Sequence, residues 1–235
     1  MHRAVRAWLL VTGLGAAAFA GCGGEGGYNP LIDPADFVAA VTNPSLPLAP
    51  GTRFVYEGES DGEAETVTVI VAETTRSILG VACTEVRDTV EVDGELVEDT
   101  LDWYAQDEDG NVWYFGEDVK NYENGVLVST DGSWLAGRDG AKPGIIMQAH
   151  PQVGQTYRQE YFPGEAEDMA RVLQLDGSAS VPYGDFEDCL VTEEWTPLEP
   201  GHVEHKYYAR DVGFVYGETV QGGPGSVGLS EVTTP

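Results

Sequence analysis

Five short pairs of residues decide what this chain can fold into: Asp61-Gly62, Asp93-Gly94, Asp109-Gly110, Asn124-Gly125 and Asp131-Gly132. Such pairs suit two-residue hairpin turns, whose central positions both need positive φ. The segments between them alternate. Arg53 to Glu57 reads as a strand. Val67, Val69 and Val71 share one face of the next strand, with Thr66 and Thr68 opposite. Val86, Val90 and Val92 then face away from Arg87, Thr89 and Glu91. Period-two patterning between closely spaced turns predicts an antiparallel meander. No gap is long enough for crossover helices, so a parallel α/β sheet is excluded.

The second half of the chain echoes the first. Gly51 has its match in Gly154, Glu63-Ala64-Glu65 in Glu165-Ala166-Glu167, and Gly80 and Cys83 in Gly184 and Cys189. Trp103-Tyr104-Ala105 returns as Tyr207-Tyr208-Ala209, and Gly110, Val112, Gly116 and Glu117 return as Gly213, Val215, Gly217 and Glu218. An ordered series with small slips predicts internal duplication. It also assigns Met169 to Leu175, ambiguous on composition, as a strand matching the valine run. The expected fold is all-β: an antiparallel meander built as two similar halves, about 51–135 and 150–235. The halves would form a sandwich, a clamshell or a half-open barrel. Hydrophobic residues at 42% suffice for its core.

Ahead of this domain, residues 22–50 read as a tether. Asp33 before Pro34 predicts one short N-terminal helix, with Phe37, Val38 and Val41 as its apolar face, stopping by Asn43-Pro44. Residues 1–21 read as a signal peptide: Arg3 and Arg6, then a short apolar run from Ala7 to Phe19. Phe19-Ala20-Gly21-Cys22 resembles a bacterial lipobox, in which the cysteine is lipidated and becomes the first mature residue. Cys22 is therefore the expected lipid attachment site. Gly23, not aspartate, follows it, which resembles the pattern for outer-membrane sorting. The expected location is exported and membrane-anchored, at the outer membrane. The anchor is the expected membrane contact, and more than one acyl chain is needed to hold it.

The formal charge is -28, from 12 basic and 40 acidic residues. Such a surface repels phosphate backbones and argues against nucleic acid as a partner. It suits a solvated acidic coat, divalent cations or basic partners. In an oxidising compartment Cys83 and Cys189 form either a disulfide or two buried thiols.

Candidate chemistry centres on WYAQDEDGNVWYFGE, residues 103–117. Trp103, Trp113 and Phe115 fall on odd positions, Tyr104 and Tyr114 on even ones, so both faces of this hairpin are apolar. One face meets the core. The other is covered by a second layer, an apolar or carbohydrate-like ligand, or a partner. Trp103, Tyr104, Trp113 and Phe115 are the expected ligand-binding residues. Asp107, Asp109 and Asn111 resemble the opening of a calcium loop, although the flanks read as strands. His202 and His205 are three apart on a strand and face opposite sides, so a shared zinc is not expected. No GxSxG or phosphate-cradling loop is present. No catalytic residue, cofactor or metal is expected.

PLAPGTRFVYEG (47–58), WYAQDEDGNVWYFGE (103–117) and WTPLEPGHVEHKYYARDVGFV (195–215) resemble a family of bacterial exported β proteins, often lipoproteins, without an established activity. The resemblance spans nearly all of the mature chain. It implies a β fold and an envelope location, and no catalytic residues. Members commonly carry proline where Arg210 stands. The reading is a lipid-anchored, non-enzymatic envelope protein that binds a ligand or an envelope protein through the aromatic hairpin. The alternatives are a calcium- or cation-dependent binding protein, and a hydrolase with an unrecognised site.

Overall fold

The structure is a computed structural model that describes residues 27–235. The signal peptide and Cys22 lie outside the described residues.

The described residues form fifteen strands. They are β1 (Arg53–Ser60), β2 (Glu63–Ile78), β3 (Val81–Val92), β4 (Glu95–Gln106), β5 (Val112–Glu123), β6 (Val126–Ser129), β7 (Trp134–Leu135) and β8 (Lys142–Met147). There follow β9 (Thr156–Arg158), β10 (Glu160–Tyr161), β11 (Met169–Val181), β12 (Gly184–Trp195), β13 (Val203–Ala209), β14 (Gly213–Gln221) and β15 (Gly225–Thr233). Met169 to Leu175 is a strand, as the pattern predicts. Asp61-Gly62, Asp93-Gly94 and Asn124-Gly125 carry positive φ at both residues, as a type I′ turn requires. At Asp109-Gly110 and Asp131-Gly132 only the glycine does. There the reversal is a wider turn, closed at the first by Gly110 N donating to Asp107 O at 3.0 Å.

One hydrogen-bonded path runs β10-β8-β5-β4-β3-β2-β1-β15-β14-β13-β12-β11-β9, with β6 and β7 attached to β5. The sheet is open and does not close as a barrel, yet its two ends are consecutive in the chain: Gln159 alone separates β9 from β10. The halves interlock. β1 lies between β2 and β15, and the β9–β10 stretch lies against β11 and β8. The leading strand of the first half thus rests on the last strand of the second. Gly51 N donates to Val71 O at 2.8 Å and Val71 N to Thr52 O at 2.9 Å. Gly154 N donates to Val172 O at 2.8 Å and Val172 N to Gln155 O at 2.9 Å.

The expected helix is a single 3-10 turn, Pro34–Asp36. Asp33 does cap it, its Oδ1 accepting from Ala35 N at 3.0 Å. The turn stops because the next backbone groups find partners on β4 and the loop beyond it. Val38 N donates to Gln106 O at 2.9 Å, and Glu108 N to Asp36 O at 2.8 Å. Residues 27–50 are correspondingly a docked strap. Val41, Leu46 and Leu48 are buried in the core. Gln106 Oε1 accepts from Thr42 N and Asn43 N, both at 2.7 Å.

Candidate functional site

The β4–β5 hairpin places most of its aromatic surface in the core. Trp103 and Tyr104 are each 2% exposed and Phe115 is 0%; Trp113 is half-buried. On one face Tyr104 stacks on Tyr114 at 4.9 Å, and Tyr114 meets Trp134 edge-on at 5.2 Å. On the other, Phe37 of the strap lies edge-on to Phe115 at 5.6 Å and to Trp113 at 6.3 Å. The second layer over the hairpin is therefore the chain's own N-terminal segment.

Trp103 borders an open hollow beside the hairpin. A hollow of about 390 Å³ is lined by Arg76, Trp103, Glu117, Trp134, Arg138 and Phe162, among others. The Arg76 guanidinium sits 4.0 Å above the Trp103 ring, and Trp103 Nε1 donates to Glu85 Oε2 at 3.0 Å. Arg76 reaches this position beyond a register shift in β2 between Val71 and Thr75, an irregularity of the kind that re-aims side chains. Arg138 comes from the loop after β7. Glu117 is held well above the usual carboxylate range by burial, then by Glu160 and Asp102 nearby. The hollow therefore offers two guanidinium groups and three aromatic rings, with the carboxyl groups of Glu117, Asp118 and Asp139 on its wall. Trp113 borders a second hollow of about 320 Å³, together with Leu31, Phe37, Asp107 and Asp109.

Two further cations flank the loop that carries Arg138. Lys142 Nζ donates to the Tyr28 carbonyl and lies 5.5 Å from the Tyr161 ring. The Arg158 guanidinium is 4.8 Å from the Tyr161 ring and 5.6 Å from that of Tyr28. The Tyr28 hydroxyl donates to Pro143 O at 2.8 Å.

The acidic loop spends its oxygens on the hairpin. Asp107 Oδ1 accepts from Asn111 N at 2.8 Å; its Oδ2 accepts from Asn111 Nδ2 at 2.9 Å and from Trp113 Nε1 at 2.7 Å. Asn111 Oδ1 accepts from Ala149 N at 2.9 Å. Among the described residues no group of three or more His, Cys, Asp or Glu side chains is placed to hold a metal ion. His202 is buried and His205 is half-buried on the other face, as period two requires. Cys83 and Cys189 are both free and buried, so the disulfide alternative gives way to two thiols. Burial pushes the Cys83 thiol up to about 12, which makes it a poor nucleophile.

The chemistry that the residue pattern did not bring out lies inside. Glu65, Asp88, Glu98, Asp102, Glu117, Glu160, Asp168, Glu194 and Glu204 are all buried, with Lys206 among them. Lys206 Nζ lies 2.9 Å from Glu194 and 3.7 Å from Glu204. Burial alone would lower Lys206, but these two carboxylates outweigh it and hold its ammonium above the ordinary value. Burial raises Glu98 and Asp102 each to about 7 and Asp168 to about 8. The same cause, reinforced by Asp102 and Glu98, lifts Asp88 well above its usual range. A signal for these residues was present: Asp88 shares the face of Val86 and Val90, where a charge is out of register.

No family model matches the chain, and no curated protein matches it. Among solved structures, a Bacteroides fragilis protein described as exported and of YmcC-like fold is similar at 14% identity. Its TM-score is 0.48, over 80% of this chain and 98% of that one. A Parabacteroides distasonis protein described as a lipoprotein is similar at 13% identity with a TM-score of 0.44, again over 80% and 98% of the two chains.

Proposed function

We propose that this chain is an exported protein, built from two copies of one β unit and lipid-anchored through Cys22 at the outer membrane. In this reading it binds and does not catalyse. The lipobox and the matched halves support the anchor and the duplication. Binding is supported by one observation above all, the Arg76–Trp103 stack on the wall of the 390 Å³ hollow. A guanidinium paired with an aromatic face, and a second arginine nearby, suit a ligand that carries a flat or apolar part beside an anionic group. The binding surface is therefore the flank of the aromatic hairpin at Trp103, and the ring faces along its length serve the core.

A photo-crosslinking residue in place of Arg138, introduced in cells, tests this reading. Adducts should form there and disappear when Arg76→Gln is added. The exposed position Asp176, in the other half, serves as control. Equal labelling at both positions would remove the hollow as a binding site.

A further inference from the structure

We propose that the flank carrying Arg76, Arg138 and Lys142 is seated on an anionic lipid surface, the bilayer that would hold residue 22. This deepens the reading above, on which it rests, by naming the ligand class: the phosphate headgroups of an assembled membrane.

The first support is a census of cations. Past the signal segment the chain has Arg53, Arg76, Arg87, Lys120, Arg138, Lys142, Arg158, Arg171, Lys206 and Arg210. Arg53, Arg87, Lys120, Arg158, Arg171, Lys206 and Arg210 each lie within 4.0 Å of a carboxylate. Among the described residues, Arg76, Arg138 and Lys142 have no such partner. In a chain with 40 acidic residues, unpaired cations should be rare and scattered. These three share one flank. Arg76 and Arg138 line the same hollow, and Ala141 lines both that hollow and the next, which Lys142 borders.

The flank is not free of acids. Glu117, Asp118 and Asp139 also border the first hollow. Burial raises the Glu117 carboxyl well above its usual range, and Asp118 lies 3.6 Å from Lys120. Asp139 remains, and Glu85 accepts from Trp103 Nε1 beside the hollow; against them stand Arg76, Arg138 and Lys142, a concentration of cations on a strongly negative molecule.

The second support is where the chain departs. Tyr28 is fixed to this flank through Pro143 and Lys142. Cys22 precedes Gly27 by five residues, which span at most about 17 Å when fully extended. An acyl group there would hold this flank close to the headgroups. Tyr28 and Tyr161, with cations over their rings, are the kind of side chains that sit at headgroup level. Leu79, exposed on the wall of the hollow that Lys142 borders, adds an apolar contact. The rest of the surface, being acidic, is repelled from anionic lipid, so attraction and repulsion choose the same orientation.

The test uses the full chain with Cys22→Ser, which removes the acylation site, and vesicles of phosphatidylcholine with or without phosphatidylglycerol. Co-sedimentation should require phosphatidylglycerol and weaken with added salt. The triple variant Arg76→Gln/Arg138→Gln/Lys142→Gln should bind at least about tenfold more weakly. A matched variant, Arg53→Gln/Arg87→Gln/Arg171→Gln, should bind as the parent does. Restoring charge with Arg138→Lys and Lys142→Arg in place of the two glutamines should recover most of the binding. Equal loss in both triple variants, or binding that ignores phosphatidylglycerol, would overturn the proposal. So would competition by soluble glycerol phosphate, which would make the hollow a site for a free anion. Labelling of unmodified Cys22 with a fatty-acid analogue reads the anchor separately. The vesicle result decides the surface whichever way that labelling falls.

Discussion

At the scale of single residues, Asp102 carries the clearest consequence. It is buried, it accepts the Tyr114 hydroxyl at 2.7 Å, and Glu98 lies nearby. Its pKa is raised to about 7, first by burial. The folded chain therefore holds a proton that the unfolded chain has released once the pH passes about 4. The stability that proton contributes is complete in acid and is lost as the pH rises through 7. Glu98 at about 7 and Asp168 at about 8 act in the same direction. Thermal melts should accordingly show a higher Tm at pH 5 than at pH 8.5. Asp102→Asn should flatten that slope, by an amount on the order of 3 kcal/mol; an unchanged slope would show that Asp102 ionises freely in the fold. Lys206 makes a complementary case. Lys206→Met leaves Glu194 and Glu204 buried without their cation and should cost about 3–5 kcal/mol in urea unfolding at neutral pH.

Elements show why some features were legible and others were not. Asp and Asn before Gly announce a turn because the backbone demand is written in the residue type, and three of the five pairs carry positive φ at both positions. Leu79-Gly80 makes the same turn, with φ of 51° and 85°, but leucine announces nothing of the kind. The Pro34 helix was read too long because its competing partners, Gln106 and Glu108, lie some seventy residues away. The aromatic hairpin was located correctly, yet no pattern could separate core from cleft when both faces are apolar. Burial separates them. Phe115→Ala should cost about 3–5 kcal/mol, and Trp113→Ala, at a half-buried site, distinctly less. Neither change is a clean probe of the proposed binding, whereas substitutions at Arg76 and Arg138, on the wall of the hollow, leave the core intact. For the strap, Gln106→Ala removes the acceptor shared by Thr42 and Asn43. Amide exchange over residues 41–48 should then speed up while β11–β14 stay protected, and a uniform response would mean the strap is not a separate unit.

Over the whole molecule, the two halves are not two domains. β1 pairs with β15 across the halves, and β10 pairs with β8 of the segment between them, so the sheet runs through both. Calorimetry should find one transition whose van't Hoff and calorimetric enthalpies agree; two resolved peaks would show that the halves unfold independently. The all-β class was readable from period and turns because those are local. The interior carboxylates and the unpaired cations were not, since forty acidic residues look alike until burial and distance sort them. Asp88, out of register between two valines, betrayed itself.

The meeting of β1 with β15 also sets an order of events. A growing chain makes its first long strand early and the strand's outer neighbour last. Until Thr233 is in place, β1 has a bare edge, and no intermediate length of chain carries the finished shape. The seam between these two strands is thus the last contact available to the sheet, and it joins its earliest long strand to its latest.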